Sequence, residues 1–254
     1  MSESVLVEVR GNVLVMTLNR PEARNAATLE MSEAMAAALD ELDRNADLQV
    51  GVITGAGGTF CAGMDLKGFL EGKRPSVEGR GFCGITQRPP KKPLIAAVEG
   101  YALAGGFEVV LACDLIVAAR SAKFGLPEVK RGLAATAGGL LRLPRRLPYH
   151  LAMEAILTGE MFGAEHAHAH GLVNRLTDTG GALDAALELA QVVAANGPLS
   201  LIASKRVVQE SVDWPQDQMF DRQNAITAPV FDSADAREGA SAFAQKRKPV
   251  WKGV

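Results

Sequence analysis

The sequence predicts an α/β fold with mostly parallel strands, and three observations carry that reading. Runs of β-branched and large apolar residues give way repeatedly to helical spacing; the order strand, Gly-containing turn, helix, strand recurs; and the last quarter of the chain is wholly helical in pattern. In chain order, Val5–Val9 and Val13–Leu18 are β-rich runs, and Arg10-Gly11-Asn12 between them reads as a hairpin or tight strand connection. From Leu29 the apolar residues Met31, Met35, Ala38, Leu39 and Leu42 fall at helical spacing, with Thr28 as N-cap and an end near Asn45. A buried strand, Val50–Thr54, follows. The polar, Gly-rich stretch Glu71 to Gly81 reads as an exposed, mobile loop. The second unit runs through strand Leu94–Val98, a Gly-containing turn, a helix from about Gly105 to Cys113 and strand Leu115–Ala118. Gly171 to Leu176 holds a last short strand. Helices over Ala182–Ala195 and Ser200–Val212 come next, with further helical segments around Met219 and Phe243. Residues 1–196 form the expected core and 197–254 a helical region, whose Ala- and Val-rich faces exceed what a lone surface helix carries and point to packing against another subunit.

Composition bounds the function. The chain has 254 residues, 48% apolar and 22% charged, which suits a globular protein with a large core and excludes disorder and collagen. A net charge of -2 provides no general field toward phosphate backbones or anionic lipid, so neither nucleic acid nor membrane is expected as a partner. The longest apolar stretch, Phe107 to Ala119, is broken by Glu108 and Asp114. Cys61, Cys83 and Cys113 are odd in number and lack CxxC spacing, which argues against zinc or a disulfide framework. With no export or targeting pattern at the termini, the cytoplasm is the expected compartment.

Three patterns resemble sites without their context. Gly79-Arg-Gly81-Phe-Cys-Gly84 matches G-x-G-x-x-G but follows a polar loop rather than a strand. His166, His168 and His170 alternate with Ala in an expected helix, so only His166 and His170 share a face, and no acid joins them as a metal ligand. Lys91-Lys92 and Arg145-Arg146 are short basic pairs of the kind found on solvated faces.

The chemistry concentrates elsewhere. The turns Ile53 to Asp65 and Val98 to Glu108 are Gly-rich and stand at equivalent places in the two units, each between a strand and a helix. Helix N-termini present free N–H groups and partial positive charge, so two such turns facing each other can hold one carbonyl oxygen that becomes negative during reaction. Either turn alone could equally reflect tight backbone geometry. Glu108 sits at the start of an apolar helix, and Glu128 follows Pro127; singly each could merely complement a helix dipole. Together they suggest acid/base chemistry, because two carboxyls in apolar surroundings can hold a water and titrate near neutrality.

These residues resemble the enoyl-CoA hydratase/isomerase, or crotonase, superfamily along nearly the whole chain. The resemblance rests on Leu18-Asn-Arg-Pro-Glu-Ala-Arg-Asn25-Ala26, Phe60-Cys-Ala-Gly-Met-Asp65-Leu66, Lys92 to Glu108, Cys113-Asp114 and Phe124-Gly-Leu-Pro-Glu128. The tail Phe243 to Gly253 is similar to the carnitinyl-CoA dehydratase branch. The resemblance implies a crotonase-like spiral of repeated β-β-α units with a C-terminal helical trimerisation region, assembled as a homotrimer or dimer of trimers. It implies an oxyanion hole from the backbone N–H groups of Met64 and Gly105, with Glu108 and Glu128 as catalytic acids. Coenzyme A, as part of an acyl-CoA thioester substrate, is expected along Ala23, Arg24, Ala26, Ala62, Asp65, Leu66 and Gly106, with Lys246 contributed by the tail. No metal and no separate cofactor is expected. The implied reaction is reversible hydration of a trans-2-enoyl-CoA to a 3-hydroxyacyl-CoA. Carnitinyl-CoA dehydration and double-bond isomerisation are same-class alternatives, and RNA binding, disfavoured by the charge, is the alternative from another class. Two departures from the family pattern stand out: Ala104, where many members have Gly and where the turn should tolerate Ala, and Ala135-Thr136 in the wall beyond the second acid.

Overall fold

Alternation along the strands sorts the apolar residues onto two faces of one sheet, and each face is covered by its own helices. The computed structural model describes residues 3–254. Its first half contains β1 (Val5–Arg10), β2 (Val13–Leu18), α1 (Leu29–Arg44), β3 (Val50–Gly55), α2 (Leu66–Leu70), β4 (Ser76–Val77), β5 (Gly81–Phe82), β6 (Leu94–Val98), β7 (Tyr101–Leu103), α3 (Gly105–Ala112), β8 (Leu115–Ala119) and β9 (Lys123–Gly125). There follow α4 (Gly139–Arg142), α5 (Tyr149–Thr158), β10 (Phe162–Gly163), α6 (Ala164–Ala169), β11 (Arg175–Thr177), α7 (Ala182–Ala194), α8 (Pro198–Glu210), α9 (Met219–Phe231) and α10 (Ala234–Ala244). The main sheet has six strands in the order β1-β2-β3-β6-β8-β11. Only the β1–β2 hairpin is antiparallel; every other neighbour pair is parallel. A smaller sheet has the order β10-β9-β7.

Leu14, Met16, Leu18, Ile53, Leu94, Ala96 and Val98 point to the face covered by α1 and α3, where Met31, Met35, Leu39, Leu42, Phe107 and Val110 complete a buried cluster. Thr28 caps α1 by accepting from the Met31 N–H at 3.2 Å. The opposite face carries Val13, Val15, Val50, Val52, Ile95, Ala97 and Val117. It is covered by α7, whose Ala182, Ala186, Ala190 and Ala194 recur every fourth residue and let that helix approach closely. The α8 helix is tied to the sheet through Lys205, whose Nζ donates to Asp114 Oδ2 at 2.6 Å and to the Lys92 carbonyl at 2.9 Å. The end of the chain folds back: the buried Asp235 carboxylate accepts from the Lys252 and Gly253 N–H groups at 2.7 and 2.9 Å. No single helix among the described residues is long and apolar enough to cross a membrane.

The long strands and helices fall within a residue or two of their expected bounds; the short elements differ, α2, β7, β9 and β10 having no counterpart in the sequence pattern. The stretch read as a mobile loop is anchored at its second half by the β4–β5 hairpin and by buried Arg80, whose guanidinium pairs with Asp40 and donates to the Arg88 carbonyl. Such two-residue strands are too short to leave an alternation pattern. The last strand is Arg175–Thr177, shifted toward the C-terminal end of the stretch assigned to it. Helices α4 and α5 lie in a region given no helix from sequence. The Gly79–Gly84 pattern opens no helix, and His168 and His170 are spent on the carbonyls of Val173 and His166.

Candidate active site

The site is built where two extended segments meet the start of α3. After β3, residues Phe60–Met64 run beside β7: Cys61 N–H donates to the Tyr101 carbonyl at 2.9 Å, and Leu103 N–H to the Cys61 carbonyl at 2.9 Å. On its other side, Ala27 N–H reaches the Gly63 carbonyl at 2.8 Å, and Asp65 N–H reaches the Ala27 carbonyl at 3.0 Å. This pairing uses the groups flanking Met64 and leaves the Met64 N–H without an acceptor among the described residues. Gly105, the first residue of α3, is likewise free because a helix's first N–H groups have no intrahelical partner. Gly63, at φ 103°, brings the two together: a Cβ there would stand 2.9 Å from the Ala104 Cβ and 3.5 Å from the Gly105 nitrogen.

Met64 and Gly105 open on a cavity of about 380 Å³ that Ala62, Leu66, Glu108 and Glu128 also line. Glu108 is buried on the first turn of α3, and its Oε1 accepts the Gly139 N–H at 2.8 Å. Burial is the main reason its carboxyl is pushed up to about 7; the neighbouring Glu128 charge raises it further, and the Gly139 N–H works the other way. Glu128 stands on a 3₁₀ turn, Pro127–Arg131, with Oε2 enclosed and unpartnered among the described residues. Its carboxyl also lies above the usual range through burial, offset by Arg131. Half-buried Arg142 donates to the Thr86 carbonyl at 2.6 Å and lends Glu108 a compensating positive charge.

The remaining expected binding residues divide. Ala62 and Leu66 line the cavity; Ala23, Arg24, Ala26, Asp65, Gly106 and Lys246 do not. Gly106 has a packing role of its own: a Cβ there would lie 2.3 Å from the Cys61 carbonyl oxygen, so its bareness serves the seam between α3 and the 60–64 segment. Asp65 is occupied as well, capping α2 through the Lys67 and Gly68 N–H groups and pairing with Arg20 at 3.1 Å. Ala23, Arg24 and Ala26 belong to the loop leading to Ala27, which joins the 60–64 segment where the Ala62 N–H donates to the Arg24 carbonyl at 3.0 Å. Buried Asn25 fixes that loop, accepting from Arg20 N–H and donating to the Ala56 and Thr59 carbonyls. Lys246 is exposed on the tail. Ala104 does occupy its turn, but at φ 51°, ψ -130°, a conformation that favours Gly and so strains an Ala.

No motif in the sequence marks Gly139, Arg142, Thr86 or Arg131. Each depends on segments far apart in the chain converging, and only the bareness of Gly138-Gly139 left a local trace.

Residues 8–254 match the family model described as enoyl-CoA hydratase/isomerase. The chain is 43% identical over 251 residues to an enoyl-CoA hydratase of Mycobacterium tuberculosis, covering 96% of this chain and 94% of that one. It is 41% identical over 261 residues to a carnitinyl-CoA dehydratase of Salmonella enteritidis, covering both chains fully. A crystal structure of an enoyl-CoA hydratase from Mycobacterium tuberculosis superposes with TM-score 0.98 at 58% identity over the whole of both chains.

Proposed function

The chain belongs to the enoyl-CoA hydratase/isomerase family, and from that premise we propose that it adds water reversibly across the 2,3 double bond of a trans-2-enoyl-CoA, yielding a 3-hydroxyacyl-CoA. The observation that carries this reading is the convergence of two free backbone donors, one buried carboxyl and one half-buried carboxyl on one cavity.

The thioester oxygen sits between the N–H groups of Met64 and Gly105, which stabilise the negative charge that builds there and so leave C3 electrophilic. Water is held between the carboxyls. Its oxygen bonds to C3 as ionised Glu108 takes one of its protons, while protonated Glu128 delivers a proton to C2 on the same face, where the π pair becomes the new C–H bond. The substrate has then gained the elements of one water. The proton on Glu108 returns to Glu128 through the next water, so the pair again holds one. A base poised near neutral pH suits Glu108, and the enclosed, unpartnered oxygen of Glu128 suits a carboxyl whose proton is reserved for the substrate. Coenzyme A enters as part of the substrate, and the residues named need no further cofactor for these steps.

In the same reading the protomers assemble through the tail as a trimer or a dimer of trimers, supported by the exposed Val208, Phe220, Phe231 and Phe243. The cytoplasm is the proposed compartment, supported by three buried free thiols.

The test is the loss of enoyl absorbance with but-2-enoyl-CoA. Glu108→Gln and Glu128→Gln should each slow hydration by about 10²–10⁴, with the double variant little worse than the poorer single one, because both groups act on one water. Wild-type rates in Glu128→Gln would remove the two-carboxyl mechanism.

A further inference from the structure

The wall of the cavity carries charge that hydration does not use. Arg74 and Arg131 both line it, and neither meets a carboxylate within ion-pair distance among the described residues. Arg131 has one long contact, to the Pro127 carbonyl at 3.5 Å. It follows Glu128 by three residues on a 3₁₀ turn, a spacing that puts both on one face about 6 Å apart along the axis. A substituent a few carbons beyond C3 therefore comes within reach of a long guanidinium side chain. Arg74 lies over the Phe69 ring, with its guanidinium carbon 4.3 Å from the centroid. Beside them the hydroxyl of Thr86, 3% exposed, is buried without a partner.

Two features decide the sign of the ligand. Among the described residues the acids on the cavity wall are Glu108 and Glu128, both committed to the reacting carbons, so the charges left on that wall are the cations Arg74 and Arg131. The Phe69 face, which could otherwise stack on a quaternary ammonium, is already covered by Arg74. Planar guanidinium groups with free donors suit a carboxylate, and two of them can act together on one although both residues are exposed.

We propose that Arg74 and Arg131 select an enoyl-CoA whose acyl chain ends in a carboxylate, and discriminate against one ending in a quaternary ammonium. This rests on the hydratase reading for its substrate frame, although the recognition itself is a matter of binding.

The experiment compares pent-2-enedioyl-CoA, neutral but-2-enoyl-CoA and a trimethylammonium-ended enoyl-CoA in the wild type, Arg74→Gln, Arg131→Gln and the double variant. The ratio of kcat/KM between substrates is read, so that general damage cancels. The carboxylate-ended substrate should exceed the neutral one by about tenfold or more. The trimethylammonium-ended one should be the poorest. The double variant should bring the carboxylate-to-neutral ratio close to one, and Arg131→Lys should keep part of it. A ratio near one in the wild type, or a preference for the cationic chain, would overturn the proposal. So would an equal weakening of every thioester and of free coenzyme A, since the arginines would then be holding the phosphates of coenzyme A. Calorimetric binding of glutaryl-CoA against butyryl-CoA gives the same comparison without turnover. If no enoyl-CoA is hydrated, the hydratase reading fails while the binding ratio still decides the selection of the carboxylate.

Discussion

A carboxyl that must ionise inside a protein carries a cost that appears as pH dependence. Glu108 ionises near 4.5 when exposed and at about 7 in the fold, so between those values the folded chain holds a proton that the unfolded chain has released. The associated penalty is absent below about pH 4.5, grows as pH rises and is complete above about 7. Glu108→Gln, neutral throughout, should therefore be more stable than the wild type at pH 8 by roughly 1–3 kcal/mol and nearly equal to it at pH 4.5. Urea denaturation at the two pH values checks this; an equal gain at both would mean that the charge is not the cause. Ala104 stores strain of a different kind, in its backbone. Ala104→Gly should raise stability by about 1 kcal/mol, the relief of the strained φ, ψ exceeding the extra chain entropy of Gly. Unchanged or lowered stability in thermal unfolding would show that the turn is relaxed with Ala. At this scale the acids were readable because Glu108 and Glu128 each sit where a carboxylate is conspicuous, at an apolar helix start and just after a proline. Asp65 and Gly106 were conspicuous for the same reason, and the structure gives each a local task as well, a helix cap and a packing seam in the same motifs as the site.

Between elements, the decisive contact is the seam joining the 60–64 segment to the first turn of α3. Gly106→Ala drives a methyl into the Cys61 carbonyl and should cost about 1–3 kcal/mol of stability together with most activity, because the seam sets the spacing of the two N–H donors. Met64→Ala keeps its N–H and should remain within about tenfold of wild-type kcat, since loss of an oxyanion donor costs about 10²–10³. Thermal unfolding paired with steady-state rates separates the two. Comparable rate losses in both variants would indicate that the Met64 side chain, rather than its peptide, serves the reaction. The long strands and α1, α3 and α7 were legible because their apolar spacing spans several periods. The β4–β5 hairpin has two residues per strand and no period to show. Helix α5 spans only Tyr149–Thr158, and the same stretch is broken into by Pro144 and Pro148 just upstream, so its spacing did not stand out.

At the level of the whole molecule, the tail exposes more large apolar surface than its packing on the core requires. Phe220, Phe231 and Phe243 are 76%, 79% and 87% exposed, which fits an interface with other copies. A chain ending near Asn196 should sediment as a smaller species, but it also loses the Lys205 tie to Asp114. Phe231→Ser with Phe243→Ser in the intact chain provides a second test, and an unchanged subunit number in both would refute assembly through this region. The faces of the sheet have a further consequence, for synthesis. Val15, Val52, Ile95 and Val117 all precede their cover, α7, in the chain, so a polypeptide still being translated presents a bare apolar face until residue 194 has been made. At about 5–20 residues per second, the stretch from the end of β8 at Ala119 to Ala194 takes roughly 4–15 s. For that interval the growing chain should attract chaperones, and ribosomes stalled near residue 180 should hold a protease-sensitive chain that stalling well beyond 194 protects.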